Sequence, residues 1–529
     1  MKTTRPDLGN AFLFACLTFP WLNCFVESPI FDFWQSLVAA VCGIFIALNW
    51  RRINASLLAT SWLTAAMISS VMALLQYFGR AEQFAPLIFP TGLGEAYGNL
   101  RQRNHLATLT SFGLVALLAI TAKRHGERPS SAVTAELPQE GREERQPVRP
   151  HLAWWMRGAA LVLAMGNAAS TSRTGLLEWV LVLGLALWWG RNTRTRIPRL
   201  AVESLALYGA AVLALPWLLN GSTGVESAGL MQRLGETQGS GRLVLWDNML
   251  TLIGQKPWFG WGLGELSYAH FITDYPGARF MEDPLSNAHN LPLHLAVEWG
   301  VPFAAAVCLG AVWVLRFAKP WRETDPGRQM AWAVLATLAL HSVLEYPLWY
   351  GHFQLALLLS LAWLWTSRPS RQGQTSGEMP ASGLRRALPV AAGVTALIAV
   401  SAAAADYVRV SQLYLQEQDR LPYYRYDTTS KVTHSWFFNP SVQFSILQKS
   451  PLIPETAEAV YSIALNSMHY SAQPLTAEKL IASAIMTGRL DEARLYMDRY
   501  KKAYPERFKS WAQSNAQQLK DKLGYSLPG

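Results

Sequence analysis

The chain has 529 residues, 51% hydrophobic and only 16% charged, with a net charge of +10. A soluble protein carries about a quarter charged residues. Here the apolar residues gather into runs of roughly 17–25, the length that crosses a bilayer as a helix. A soluble globular enzyme is excluded, and the basic excess must be explained by its placement before nucleic acid is invoked.

In chain order the apolar runs lie at about 8–26, 30–49, 54–78, 105–122, 152–169, 174–190, 198–219, 293–316, 329–344, 347–366 and 387–405. They predict an all-α polytopic membrane protein with about eleven spans. The first run lacks a small-residue cleavage site and is followed by ten more, so it is expected to be a retained helix. Basic residues mark every second connection: Arg51 and Arg52; Lys123, Arg124 and Arg128; Arg191, Arg194, Arg196 and Arg199; Arg316, Lys319, Arg322 and Arg328; Arg368, Arg371, Arg385 and Arg386. Cytoplasmic loops carry such an excess. The charge therefore reports topology, with the N-terminus inside and the tail outside, and no nucleic-acid partner is expected. Cys16, Cys24, Cys42 and Cys308 form no CxxC pair and no zinc spacing, so no disulfide framework or thiolate metal site is indicated.

The predicted organisation is 1–219 with seven spans, a long external loop over 220–291, further spans over 292–405, and an external tail over 406–529. A shorter external loop covers 79–104. The stretch 123–151, rich in Arg, Glu, Pro and Ser, cannot bury a core and is expected to be disordered. In the tail, apolar residues recur at helical spacing on both sides of Gly488, and Pro505 follows. That pattern predicts one tetratricopeptide-like helix pair in a small helical domain.

The chemistry is expected where polar groups crowd the external ends of spans. Gly98-Asn99-Leu100-Arg101-Gln102-Arg103-Asn104-His105-Leu106-Ala107 leads into the fourth span. Ser170-Thr171-Ser172-Arg173-Thr174-Gly175 is the tight turn between the fifth and sixth. Gly239-Ser240-Gly241-Arg242-Leu243-Val244-Leu245-Trp246 opens a helix in the long loop, followed by Lys256-Pro257-Trp258-Phe259-Gly260-Trp261-Gly262. Ser286-Asn287-Ala288-His289-Asn290-Leu291-Pro292 precedes the eighth span. His341, Glu345, Tyr346 and Tyr350 surround the turn between the ninth and tenth.

Each has a plainer explanation. Interfacial arginines snorkel to lipid phosphate, which suits Arg101 and Arg103 better than Arg173, whose short turn leaves little choice of direction. His294 and His270 suit structural hydrogen bonding. Trp246, Trp258 and Trp261 suit an interfacial aromatic belt. Together, however, the clusters suit an anionic substrate at the outer leaflet. Guanidinium forks match phosphate, and an imidazole titrating near ~6.5 takes a proton at envelope pH. Glu282-Asp283 is the only adjacent acidic pair in the long loop and has no obvious third ligand, so no metal and no cofactor are expected. Transfer from a polyprenyl pyrophosphate fits: arginines stabilise the departing pyrophosphate while His289 deprotonates an acceptor hydroxyl.

The order of spans, the long loop and the string Gly241-Arg242…Trp246…Pro257-Trp258-Phe259-Gly260-Trp261-Gly262…His289-Asn290 resemble the O-antigen ligase/polymerase superfamily. Gln102-Arg103-Asn104-His105-Leu106-Ala107 and His341-Ser342-Val343-Leu344-Glu345-Tyr346-Pro347-Leu348 resemble the signatures of its pilin-glycosylation ligases, bacterial O-linked protein oligosaccharyltransferases. The resemblance covers about residues 8–410. It implies a GT-C-like membrane fold in the bacterial inner membrane, with a metal-independent, inverting transfer at the periplasmic face. The implied donor is an undecaprenyl-pyrophosphate-linked glycan, and the implied acceptor a Ser or Thr of pilin or another periplasmic protein. By the same resemblance His289 is the base and Arg173 and Arg242 contact the pyrophosphate. Gln102, Arg103, Asn104, His105, Glu345, Tyr346 and Tyr350 bind substrate.

The rival readings are an O-antigen or capsule polymerase, a ligase to lipid A-core and, more remotely, a lipid-linked sugar transporter. A transporter places its polar groups near the bilayer midplane. Here they gather at one face.

Overall fold

The computed structural model describes residues 7–25, 30, 32–126, 150–191, 197–224, 229–231, 239–281, 284–368 and 383–525. Most of the 123–151 stretch, and Glu282-Asp283, therefore lie outside the described residues. Among those residues all regular structure is helical.

The helices up to the long loop are α1 (Leu8–Thr18), α2 (Phe33–Leu48), α3 (Ala55–Tyr77), α4 (Arg103–Gly126), α5 (Pro150–Ser170), α6 (Arg173–Gly190) and α7 (Ile197–Thr223). The loop holds α8 (Gly239–Gln255) and α9 (Leu266–Ile272). Next come α10 (Leu291–Trp299), α11 (Val301–Ala318), α12 (Pro326–Leu344), α13 (Gly351–Thr366) and α14 (Gly383–Ser411). The tail adds α15 (Asn439–Lys449), α16 (Ala457–Tyr470), α17 (Pro474–Met486), α18 (Leu490–Ala503), α19 (Pro505–Ser514) and α20 (Ala516–Leu523). Among the described residues five helical segments are long and apolar enough to cross a membrane: Ala55–Tyr77, Arg103–Arg124, Ile197–Thr223, Val301–Arg322 and Pro389–Ser411. This is a multi-pass membrane protein.

Local chemistry sets the helix starts. Asn54 caps α3, Ser172 caps α6 and Asn290 caps α10, each side-chain oxygen accepting from a backbone N–H in the first turn. Asp325 caps α12, with Pro326 at its first position. Such caps each contribute about 1 kcal/mol.

One expected span is broken. The run 293–316 is predominantly apolar, interrupted by His294 and Glu298 and ending at Arg316, yet the helix stops at Trp299 and restarts at Val301. Gly300 adopts φ +84, and a Cβ there would overlap the carbonyl of Trp258. The cause is a close backbone approach between the Trp258–Gly262 stretch and the end of α10. Trp261 N donates to Val297 O (2.8 Å), Gly262 N to Glu298 O (3.0 Å) and Val301 N to Pro257 O (2.8 Å). Gly260, at φ +70, faces the Glu298 carbonyl with no room for a side chain. The Pro-Trp-Phe-Gly-Trp-Gly motif is thus a backbone clasp, and only glycine tolerates both its dihedrals and its contacts.

The chain divides into two compact units. The first comprises residues 1–26, 32–236 and 317–398. Its core is helix on helix, with α3 packed on α4 and α5, and α4 on α6 and α12. Ala65, Ala66, Ser69, Ser70 and Ala73 line the buried face of α3, the small residues that let helices approach closely in a membrane. Two buried amides fix its 79–104 loop. Gln76 bonds the backbone of Phe89, Tyr97 and Gly98, and Asn99 bonds that of Leu22, Leu87 and Phe89.

The second unit comprises residues 27–31, 237–316 and 399–529. Leu245, Met249 and Leu252 of α8, Leu266 and Ala269 of α9, Leu285, Ala288 and Val297 form one core. A larger core joins α16–α20 and takes in Tyr268, Phe271 and Ile272 from the long loop. The expected helix pair flanking Gly488 is present as α17 and α18. The loop and tail are therefore packed together, tied also by Glu265–His469 (2.7 Å) and by Asp274 to Lys502 (2.8 Å) and Arg499 (3.1 Å).

Candidate active site

In the first unit, three of the sequence clusters meet around Asn104. Its amide nitrogen donates to Glu345 Oε1 (3.0 Å), and its amide oxygen accepts from Ser172 Oγ (2.6 Å). Ser172 in turn accepts from Gly175 N (3.0 Å) and so starts α6, which places Arg173 in the first turn of that helix, half-buried. A helix N-terminus adds partial positive charge, so the Arg173 guanidinium sits where an anion is favoured twice over. Thr171, just before, is held at φ +52, an uncommon backbone for a β-branched residue.

The other predicted residues of this unit surround that bridge. His105 is buried, with its ring 4.2 Å from that of Tyr350 and 5.8 Å from that of His341. Tyr346 stacks on Tyr350 at 6.1 Å. Arg103 pairs with Glu95 rather than lying free for lipid phosphate, and Arg101 lies over Phe89 at 5.5 Å with φ +60. The Gln102 side-chain oxygen is buried and makes no hydrogen bond among the described residues.

Deeper in this unit lies a polar group that the sequence reading missed. Glu178 of α6 is fully buried. Thr108 lies 2.6 Å from Glu178 Oε1, 2.7 Å from His341 Nδ1 and 3.0 Å from Asn104 O, and Ser111 donates to Glu178 Oε2 (2.8 Å). A hydroxyl has one proton. If Thr108 gives it to the carboxylate, His341 must donate from Nδ1, which fixes its tautomer. The signal was available: Glu178 is the one acid in an apolar run, and an ionisable residue inside a span is a functional candidate by default. Gln76 and Asn99 were missed because a lone amide carries no periodic signal.

In the second unit, Arg242 and His289 attach to one small core. Arg242 lies in the first turn of α8, three residues before Leu245, and His289 follows Ala288; both core residues are fully buried. His289 is held at φ +47, its N–H donating to Asn287 Oδ1 (2.8 Å), and Asn290 then caps α10 through Leu293 N (3.1 Å). A left-handed backbone costs a non-glycine residue roughly 1–2 kcal/mol. Among the described residues the non-glycine positions with positive φ are Arg101, Thr171, His289, Lys319 and Asp427. Three of these five fall within the clusters singled out by sequence, the pattern expected where strain is held at a functional site.

The remaining loop residues are structural. His270 is buried between Tyr275 OH (2.8 Å from Nδ1) and the Phe280 carbonyl (3.0 Å from Nε2). Burial, helped by the Arg279 guanidinium, pushes its imidazole down to about 3, against the opposing hydrogen bond to Phe280. His294 is buried beside Glu298 at 3.3 Å. Trp246 and Trp261 do not form the expected belt: both pack against the loop core, and Trp261 Nε1 donates to Leu252 O (3.1 Å). Trp258 alone of the three is exposed.

The family comparisons fall on these same segments. The profile described as O-antigen ligase matches residues 158–308, which contain Arg173, Arg242 and His289. A protein glycosylation ligase profile matches 96–119, the segment carrying Asn104 and His105. Over these segments the chain is similar to the O-antigen ligase superfamily and to its protein glycosylation ligases. A third profile, described as the C-terminal part of a virulence factor membrane-bound polymerase, matches residues 329–519. Among curated proteins the chain is similar to a general O-oligosaccharyltransferase of Acinetobacter baylyi, 24% identical over 345 residues. The match takes in 63% of this chain and 54% of the relative, so the chain spans about half the length of that protein. No solved structure matches.

Proposed function

We propose that this chain is an O-linked protein oligosaccharyltransferase of the bacterial inner membrane. It moves a glycan from undecaprenyl pyrophosphate to Ser or Thr of pilin or another periplasmic protein. The observation that carries the proposal is the Asn104 bridge. The segment matching the glycosylation-ligase profile holds both the Arg173 turn and Glu345 through a single side chain. The similarity to a general O-oligosaccharyltransferase supports the acceptor class. The basic connections support an arrangement of about eleven spans with the polar clusters toward the periplasm.

In the reaction, His289 takes the proton of the acceptor hydroxyl as its oxygen attacks the anomeric carbon. The bond from that carbon to the pyrophosphate oxygen breaks, and the charge left on the departing pyrophosphate is stabilised by Arg173 and Arg242. Bidentate guanidinium contacts suit that charge better than an ammonium does. Gln102, Asn104, His105, Glu345, Tyr346 and Tyr350 shape the donor or acceptor position.

A polymerase is the second reading, favoured by the polymerase profile over 329–519. It keeps the donor chemistry and replaces the protein hydroxyl by a sugar hydroxyl. Reconstitution of purified protein with lipid-pyrophosphate-linked glycan and a Ser-rich periplasmic acceptor separates the two. A glycan-sized mass gain on the acceptor is expected. A lengthened lipid-linked glycan with unmodified acceptor would make the protein a polymerase.

A further inference from the structure

The segment 434–438 immediately precedes α15 and carries the run Trp436-Phe437-Phe438. Helix α14 contains the candidate span Pro389–Ser411, of whose apolar window only 6% is buried, which leaves its surface open to lipid. Residues 387–405 carry no charge, and Asp406 is the first charged residue after Arg386. At 1.5 Å per residue, Asp406 lies about 25 Å along the helix from Pro389, close to the edge of a hydrocarbon layer of roughly 30 Å.

Asp406 is also where the segment is tied. Its Oδ2 accepts from Ser435 Oγ (2.5 Å), Trp436 N (3.1 Å) and Phe437 N (3.1 Å). Its Oδ1 accepts from Arg409 Nη2 (2.7 Å), which also donates to the His434 carbonyl (2.8 Å). The three aromatics then divide. Phe438 turns inward, edge-on to Tyr407 at 5.3 Å and packed against the core of Val410, Leu413, Val432 and Val442. Trp436 and Phe437 turn outward, 86% and 52% exposed.

We propose that Trp436 and Phe437 form an interfacial anchor seating the tail on the bilayer surface where α14 ends. The partner is the phospholipid headgroup layer. Trp is the side chain enriched at that depth, with an apolar body and a polar N–H. Two aromatics bonded through their backbone to the exit point of a lipid-facing helix are held at that level. An exposed tryptophan can also meet a glycan or an acceptor protein, but neither explains why the segment is fastened to the membrane exit.

The test places benzoylphenylalanine at position 436 of the full chain in phosphatidylethanolamine–phosphatidylglycerol proteoliposomes, irradiates, and reads intact mass. Leu495, half-exposed on α18, is the comparison position. One phospholipid mass added at 436, with none at 495, is expected. No phospholipid adduct at 436, or adducts only with lipid-linked glycan or protein, would overturn the anchor. Separately, Trp436→Ser with Phe437→Ser should speed tryptic clipping of the tail several-fold in liposomes and leave it unchanged in detergent. Equal rates in the two settings would also overturn it. Neither readout depends on transfer activity.

Discussion

The two units hold their functional residues by different means. Around Asn104, side chain grips side chain: an amide spans Glu345 and Ser172, and a hydroxyl lies between Glu178 and His341. Around His289, at φ +47, it is the main chain that is gripped: its N–H bonds Asn287, Asn290 caps the helix that follows, and the far end of that helix is clasped backbone to backbone at Gly260 and Gly300. In a membrane helix the backbone is already satisfied internally, so polar side chains must find one another. In a long loop the backbone itself must be paired, and glycines provide the close approach. The first unit should therefore be sensitive to side-chain chemistry, and the second to added Cβ atoms.

The largest effect expected is on catalysis. His289→Ala should lower transfer by about 10²–10⁴-fold, the range for a general base, with the chain still folded by gel filtration. Arg173→Lys and Arg242→Lys should each lose on the order of 10²-fold, as when one charge-stabilising donor is lost. Wild-type rates in either would reduce that arginine to a lipid anchor.

Next come the tests of the clasp and the bridge. Gly300→Ala should destabilise the loop by more than about 3 kcal/mol, because strain and overlap combine, and thermal unfolding would show it. Asn104→Ala should cost about 1–3 kcal/mol by removing the amide that bonds both buried Glu345 and Ser172. Asn104→Leu, similar in volume, should rescue nothing, since the bridge is polar. If Gly300→Ala were milder than Asn104→Ala, the contrast between the units would be wrong.

The smallest effect is a pH dependence. The His270 imidazole is pushed from its ordinary 6.5 to about 3 in the fold by burial and Arg279. Between those values the unfolded chain takes up a proton that the native loop refuses. Loop stability is therefore full above about pH 6.5 and falls with acid, by about 1.4 kcal/mol per pH unit. Limited proteolysis should show the loop about 2 kcal/mol weaker at pH 5. His270→Gln should flatten that slope, and an unchanged slope would show that another group sets it.

The membrane helices were legible because hydropathy and basic loops are averages over many residues. The three clusters that meet around Asn104 were legible because polar residues at span ends are rare. The cause of the break at Gly300 was not: it is the Trp258 carbonyl, forty-two residues earlier. Nor was Asn104's partnership with Glu345, 241 residues away. Glu178 was visible in principle and overlooked because the run around it is otherwise apolar. The tail's attachment to the long loop through Phe271 and Asp274 joins surfaces that each look complete in sequence.

The most direct test measures release of polyprenyl pyrophosphate by the purified chain as an acceptor gains mass, in wild type and His289→Ala. The proposed function predicts one pyrophosphate released per glycan transferred, and neither product from His289→Ala. Transfer by His289→Ala at the wild-type rate would contradict it.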